Sequence, residues 1–180
     1  MRSIVNLFQK YAKQYDFDWL MVAAQAYQES GLDPSAKSRV GAVGIMQVMP
    51  RVAESPPISI KQVQRLENNV HAGVKILRHY RDTYFNEPQL DDFNRTLLCF
   101  AAYNAGPTRI STLRKRAARQ GLNPNVWFGN VEQIASERIG RETVTYVSNI
   151  YKYYVAYRLV VEENERRAAA KAALKGNTPK

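Results

Sequence analysis

The sequence predicts an all-α fold in a single domain. Apolar residues recur at helical spacing through most of the chain, and no strand-like alternation runs longer than four residues. A length of 180 residues fits one domain better than two. A domain of that size buries roughly 70% of its unfolded surface, enough for a self-sufficient core. No internal repeat subdivides it.

The elements follow in order. Ile4, Leu7, Phe8 and Tyr11 keep the i, i+3, i+4, i+7 pattern of an amphipathic helix. A break around Asp16–Asp18 leads into a second helix, in which Trp19, Leu20, Val22, Ala23, Ala26 and Tyr27 recur before Glu29, Gly31 and Pro34. Residues 31–60 are rich in Gly, Pro and Ser and read as a long loop with at most short helical turns. Loops of that length in compact domains are usually functional. From about Ile60 helical spacing returns through Val63, Leu66, Val70, Val74, Leu77 and Tyr80. Another helix spans roughly 91–104 and stops at Gly106–Pro107. Helix is expected over 108–119, a turn at GLNPN, and a short helix over 130–138. A last helix begins near Arg141, with Val144, Val147, Ile150, Tyr151, Tyr154 and Val155 on one face. Beyond Val161 the charged, Ala-rich run has good helix propensity but little to bury. Residues 162–180 are therefore expected to be a fraying helix and tail on a domain over 1–161.

Composition bounds the partners. Hydrophobic residues at 45% and charged residues at 23% are ordinary for a soluble globular protein. Aromatics make up 11%, with 11 Tyr, whose rings serve either as scaffold or as flat contact surfaces in a cleft. The net charge of +10 suits nucleic acid, anionic lipid or a carboxylated wall polymer equally. The densest basic run, Arg109 to Arg119, reads mainly as a solvated helix face. A lone cysteine, Cys99 in LLCFAAY, excludes an intramolecular disulfide and reads as a buried apolar thiol. His71 and His79 have no partners at zinc-ligand spacing, so no metal is expected. No segment approaches the ~20 apolar residues needed to cross a bilayer. MRSIVNLFQK meets Gln and Lys too early for a signal peptide. The chain is thus either cytosolic or an excised or mature form of an exported protein.

Four short pieces carry candidate chemistry: QES at 28–30, GIMQ at 44–47, AYNAGP at 102–107 and ETVTYV at 142–147. Each alone has a structural explanation. Gly41, Gly44 and Gly106 suit turns, and Met46 suits a core. Glu29 is either a solvated surface acid or a half-buried carboxyl that keeps its proton to higher pH and serves as an acid.

Together, in this order, the pieces resemble the soluble-lytic-transglycosylase family of peptidoglycan enzymes. Within it the likeness runs to the catalytic domain of the membrane-bound lytic murein transglycosylase F type, from about Leu7 to Leu159. It includes AAQAYQESGLDPSAKSRVGAVGIMQVMP, LENNVHAGVKILRHY, AAYNAGP and IGRETVTYVSNIYKYY. The resemblance implies a lysozyme-like (goose-type) helical domain with a substrate groove. Glu29 would be the catalytic acid, with Ser30 helping to hold the sugar's substituents. Met46 and Gln47 would line the groove beside the scissile bond, with Ile45 standing where the family usually has Leu. Tyr103 and Asn104 would contact the sugar and support the acid, and the Tyr146 hydroxyl would lie near it. Val52 in MPRVA departs from the family's usual Thr, read as a helix cap.

Protonating a glycosidic oxygen near neutral pH needs an acid tuned towards ~6–7, about two units above a free Glu. Most glycosidases add a second carboxylate. Asp33 is the obvious candidate here, but Asp-Pro after Gly reads as turn chemistry, and Glu54 sits in the Pro-rich loop. The resemblance implies a route that needs only one. The 2-acetamido group of N-acetylmuramic acid assists departure from C1, and the ionised Glu then takes the proton of the 6-hydroxyl, giving a 1,6-anhydro product.

The expected activity is non-hydrolytic cleavage of the β-1,4 bond between N-acetylmuramic acid and N-acetylglucosamine. A hydrolytic muramidase on the same scaffold, a nucleic-acid-binding helical protein and a catalytically silent wall-binding module stand as alternatives. The resemblance implies peptidoglycan glycan strands as partner, no nucleic acid, no cofactor or metal, and a monomer. It also implies a cell-envelope location, periplasmic or at the outer membrane, with any membrane association through segments outside this chain.

Overall fold

The structure, a computed structural model, describes residues 3–176, with side chains to residue 172. Among the described residues eight α-helices follow one another: α1 Ile4–Tyr15, α2 Trp19–Ser30, α3 Pro50–Glu54, α4 Leu66–Tyr84, α5 Asp92–Ala105, α6 Pro107–Arg119, α7 Glu132–Ile139 and α8 Arg141–Gly176. A kinked turn at Trp127–Val131 leads into α7. No strand forms among the described residues, only isolated bridges from Val43 to Lys37 and Val48. The all-α expectation holds.

Local chemistry sets the boundaries. Ser3, Asp18 and Asp91 cap α1, α2 and α5 by accepting hydrogen bonds from Asn6, Leu20 and Asn94 backbone N–H groups. Each such cap stabilises its helix by about 1 kcal/mol. Asp16 turns left-handed (φ 61°) at the end of α1, which places the expected break between α1 and α2. Gly31 (φ 66°) ends α2 in the same way, one residue after Ser30. Gly106 (φ 93°) separates α5 from α6, and Pro107 opens α6, where a missing N–H costs nothing.

Two boundaries differ from the periodicity. Helix α4 starts at Leu66 rather than near Ile60, because Ser59 and Gln62 both take left-handed φ values (54°). Val63 is fully buried, so its apolar character reflects a loop anchor and not a helical face. Helix α8 runs unbroken from Arg141 to Gly176, 36 residues, so the extension beyond Val161 begins as continuous helix. Leu159 and Val160 are more than half exposed there, consistent with a segment that has little to pack on.

Two apolar clusters make up the core. One gathers α5, α6, α7 and the inner face of α8 around Leu97, Phe100, Trp127 and Val147. The other gathers α1, α4 and the 42–63 loop around Phe8, Ile45, Met46 and Val70. Helix α2 contributes to both, Met21 and Ala24 to the first and Val22 and Ala26 to the second. Tyr80 and Tyr103 pack against both clusters. Helix α8 packs along α2 more extensively than any other pair of described elements. That contact carries the carboxyl at the end of α2 to the seam.

Candidate active site

Glu29 occupies the last turn of α2, one helical turn beyond Gln25 on the same face. The packing of α8 on α2 brings Tyr146 against both. The Tyr146 hydroxyl donates to Glu29 Oε1 at 2.5 Å, and Gln25 Nε2 donates to the Tyr146 hydroxyl at 3.1 Å. Burial pushes the Glu29 carboxyl up from its ordinary 4.5 to about 7, against the opposing pull of the Tyr146 hydrogen bond. Burial and the neighbouring Glu29 charge hold the Tyr146 phenol well above its ordinary range, so it remains a donor at neutral pH.

The 44–48 loop closes on this group from the other cluster. Gly44 (φ 77°) approaches α4 so closely that a Cβ there would lie 2.4 Å from Asn69 Nδ2. Asn69, almost fully buried, accepts from the Met46 N–H at 2.8 Å and donates to the Val43 and Val63 carbonyls, each at 2.8 Å. Ser30 Oγ donates to the Ile45 carbonyl at 2.8 Å, tying the end of α2 to the same loop. Tyr103 on α5 donates to the Met46 carbonyl at 2.9 Å. Gln47 takes a left-handed backbone (φ 46°), a strained conformation for a residue with a Cβ. Its amide donates to the Gly44 carbonyl at 2.9 Å.

A cleft of about 420 Å³ opens beside the acid, lined by Gln28, Glu29, Asn104, Arg141, Glu142, Thr145 and Tyr146. A smaller hollow of about 90 Å³ is lined by Gln47, Met49, Val52, Ile76, Tyr80 and Tyr103, the chain neighbour of Asn104. The Asn104 amide carbonyl accepts from Thr143 Oγ1 at 2.7 Å. A larger hollow, about 590 Å³ beside Arg114 and Glu87, holds none of the expected site residues. Chemistry, not size, locates the candidate site at Glu29.

The structure thus brings together Glu29, Ser30, Gln47, Tyr103, Asn104 and Tyr146. Met46 departs from expectation. Its side chain is fully buried, with the thioether against Gly73 on α4, so only its carbonyl serves the site. Val52 is not at a cap. The cap of α3 is Met49, and Val52 lies half exposed inside the helix, lining the small hollow. Asp33 behaves as turn chemistry: it is exposed, and its carboxylate accepts from the Ser35 backbone N–H and hydroxyl. Those bonds hold it below the usual carboxylate range. Glu54 is exposed.

Arg114 also departs, from the solvated basic face. It is buried, and its guanidinium donates to Glu87, the Pro124 carbonyl and Asn125. Sequence reading missed Gln25, Asn69 and Thr143. Their signal is a polar residue at a helical position where the apolar pattern calls for a buried one. For Gln25 that pattern is visible in VAAQA.

Fold and site together define a lysozyme-like helical domain with one half-buried acid at the edge of a cleft. The chain belongs to the family described as Transglycosylase SLT domain, which matches residues 6–125. Among curated relatives it is 31% identical over 163 residues to membrane-bound lytic murein transglycosylase F of Pseudomonas fluorescens, covering 82% of this chain and 32% of that protein. It is 30% identical over 184 residues to the protein of the same name in Erwinia tasmaniensis, covering 95% and 36%. The chain therefore spans about a third of the length of these relatives. Among solved structures, the 70 kDa soluble lytic transglycosylase of Escherichia coli aligns with a TM-score of 0.66 at 29% identity, over 87% of this chain and 24% of that one. An inactive glutamate-to-glutamine mutant of lytic transglycosylase Slt from Pseudomonas aeruginosa aligns with a TM-score of 0.61 at 28% identity, over 87% and 24%.

Proposed function

We propose that this domain is a lytic transglycosylase, cleaving the β-1,4 bond between N-acetylmuramic acid and N-acetylglucosamine in peptidoglycan and leaving a 1,6-anhydro end. The observation that carries the reading is Glu29 itself, a carboxyl buried enough to keep its proton to about pH 7 yet open to a cleft. A glutamate-to-glutamine change defines the inactive mutant of the aligned Pseudomonas aeruginosa enzyme, in keeping with a reaction on this fold that turns on one glutamate.

In the first step Glu29 donates its proton to the glycosidic oxygen as the bond to C1 breaks, with the substrate's acetamido oxygen stabilising C1. The resulting carboxylate is held by the Tyr146 hydroxyl. In the second step it removes the proton of the 6-hydroxyl, whose oxygen closes on C1. The proton lost from one sugar oxygen replaces the one given to the other, and no water is consumed. Ser30, its own hydrogen committed to Ile45, offers lone pairs to the sugar's N–H and hydroxyl groups. Gln47, Tyr103 and Asn104 shape the groove on either side, and Met46 acts through its carbonyl. The catalytic unit is residues 1–161, with 162–180 an extension. The domain acts as a monomer on glycan strands in the cell envelope, without nucleic acid, and any membrane anchoring uses segments outside this chain. Among the described residues no helix is long and apolar enough to cross a membrane.

A hydrolytic reading has one specific support. Glu142 is a second carboxyl lining the same cleft. Its place in the first turn of α8 is also explained by the favourable field of a helix N-terminus. Digestion of purified sacculi by wild-type, Glu29→Gln and Glu142→Gln protein, followed by mass spectrometry of the released muropeptides, decides between them. Anhydro ends, lighter than reducing ends by one water, from the wild type and Glu142→Gln but no release by Glu29→Gln are expected. Reducing ends that vanish in Glu142→Gln would establish hydrolysis.

A further inference from the structure

Gln25 is fully buried, and within its hydrogen-bonded group it touches only Tyr146. The Tyr146 hydroxyl has one hydrogen and gives it to Glu29. A phenol that already accepts an N–H is a stronger donor, because hydrogen bonds in series polarise one another, by about 10–30% per bond. The remaining atom of the amide, Gln25 Oε1, is buried with no hydrogen-bond partner among the described residues. Leaving such a carbonyl unpaired is costly, and a side chain chosen only to fill this space would be apolar.

We propose that Gln25 is a positioning residue that sets the direction of the Tyr146 hydroxyl hydrogen, and through it the acid–base poise of Glu29. The proposal rests on Glu29 being the acid and base of the reaction. With Glu29 ionised, the Gln25 N–H faces Tyr146 and the tyrosine hydrogen points at the carboxylate. With the proton on Glu29 Oε1, the carboxyl becomes the donor to Tyr146 and the tyrosine hydrogen must turn elsewhere. Rotating the amide by half a turn then presents Gln25 Oε1 as its acceptor. A side chain carrying donor and acceptor at one end serves both states of a group that must be an acid first and a base second. Leu, Met or Val at this position serves neither.

The other titratable and charged groups around Glu29 are few. Tyr103 on α5 faces it, and its phenol is held well above its ordinary range by burial and then by the Glu29 charge. Arg141 and Glu142 at the start of α8 line the cleft, exposed and opposite in sign. None of them contacts Gln25 through a hydrogen bond. The direction of the Gln25 effect supports the geometry: its N–H makes the Tyr146 phenol more acidic.

The test is a double-mutant cycle read as the pH dependence of kcat/KM on sacculi, using Gln25→Leu, Tyr146→Phe and the pair. The free enzyme must carry a protonated Glu29, so its pKa sets the alkaline limb. Gln25→Leu removes the support of both states, but the charge-assisted bond of the ionised state is the stronger, so the limb should move upward by about half a pH unit. Tyr146→Phe should move it by about one unit or more. The double variant should match Tyr146→Phe alone, because Gln25 acts only through the hydroxyl. Gln25→Met, which keeps the unbranched stem but lacks the amide, should repeat the Gln25→Leu shift, and thermal unfolding confirms that the variants are folded. An unmoved limb in both Gln25 variants, or a double variant that adds the two shifts, overturns the proposal. If Glu29→Gln retains turnover, the acid assignment falls instead, which is a separate outcome.

Discussion

The thioether of Met46 lies against the α-carbon of Gly73, so that a Cβ at position 73 would stand 2.5 Å from Sδ and 3.0 Å from Met46 Cβ. This contact lets the loop carrying Met46 and Gln47 sit down on α4. Helix propensity alone favours Ala over Gly by about 1 kcal/mol. Met46 is fully buried, and the added Cβ would crowd its own Cβ as well as its flexible end, so overpacking outweighs that gain. Gly73→Ala is expected to destabilise the domain by about 1–2 kcal/mol net in urea unfolding. It should also lower turnover, since the Met46 carbonyl that receives Tyr103 shifts with the loop.

Asn69 holds the same loop through polar contacts. Replacing it with Leu, of similar size, strands the Met46 N–H and the Val63 carbonyl and leaves the Val43 carbonyl with the Val48 N–H alone. The expected loss is about 2–4 kcal/mol, measured by chemical denaturation. Asn69→Asp retains the acceptor for Met46 but sets an ionised oxygen against the Val43 and Val63 carbonyls in a buried site, and should cost at least as much as Asn69→Leu.

Arg114 stabilises the opposite lobe without touching the cleft. Its three acceptors, Glu87, Pro124 and Asn125, fit the fork of a guanidinium and not an ammonium. Arg114→Lys is therefore expected to cost about 2 kcal/mol in stability, and Arg114→Leu about 3 kcal/mol because the Glu87 carboxylate then loses its ion pair. In both, kcat/KM of the folded protein should stay within about twofold of wild type, since no contact to the cleft is lost.

Glu29 makes activity and stability pull in opposite directions. Its folded pKa of about 7 lies above the ordinary 4.5, so between those values the folded protein holds a proton that the unfolded chain has released. Stability is therefore unaffected below pH 4.5, falls as pH rises towards 7, and is lower by about 3 kcal/mol above that. Glu29→Gln removes the titration. Melting curves from pH 4 to 8 should show the variant level with wild type at the acidic end and more stable by a few kcal/mol at the alkaline end.

Much of this was readable from residues alone, and the limits are physical. The end of α2 was legible because Gly31 and Pro34 stop a helix by backbone geometry that any context preserves. The Gly106–Pro107 break was legible for the same reason. Glu29 stood out because it closes an apolar run. Val63 misled because a buried loop anchor and a helical face both demand an apolar side chain. The role of Met46 was misplaced because a motif identifies a neighbourhood, whereas burial of one side chain depends on Gly73, far along the chain. Arg114 sits in a basic run that composition cannot sort into solvated and buried members. Gln25 and Thr143 bond to partners 121 and 39 residues distant, and Asn69 to Val43 and Met46, 26 and 23 residues away, so a local pattern shows a misplaced polar residue but not what it holds.

Catalysis at this site requires the carboxyl at position 29 to keep its proton to neutral pH while it faces a cleft. NMR titration of protein labelled with ¹³C at the glutamate δ-carbon, with the resonance assigned by its loss in Glu29→Gln, measures this directly. A midpoint of about 7 is expected. A midpoint near 4.5, the value of an ordinary solvated glutamate, would contradict the account.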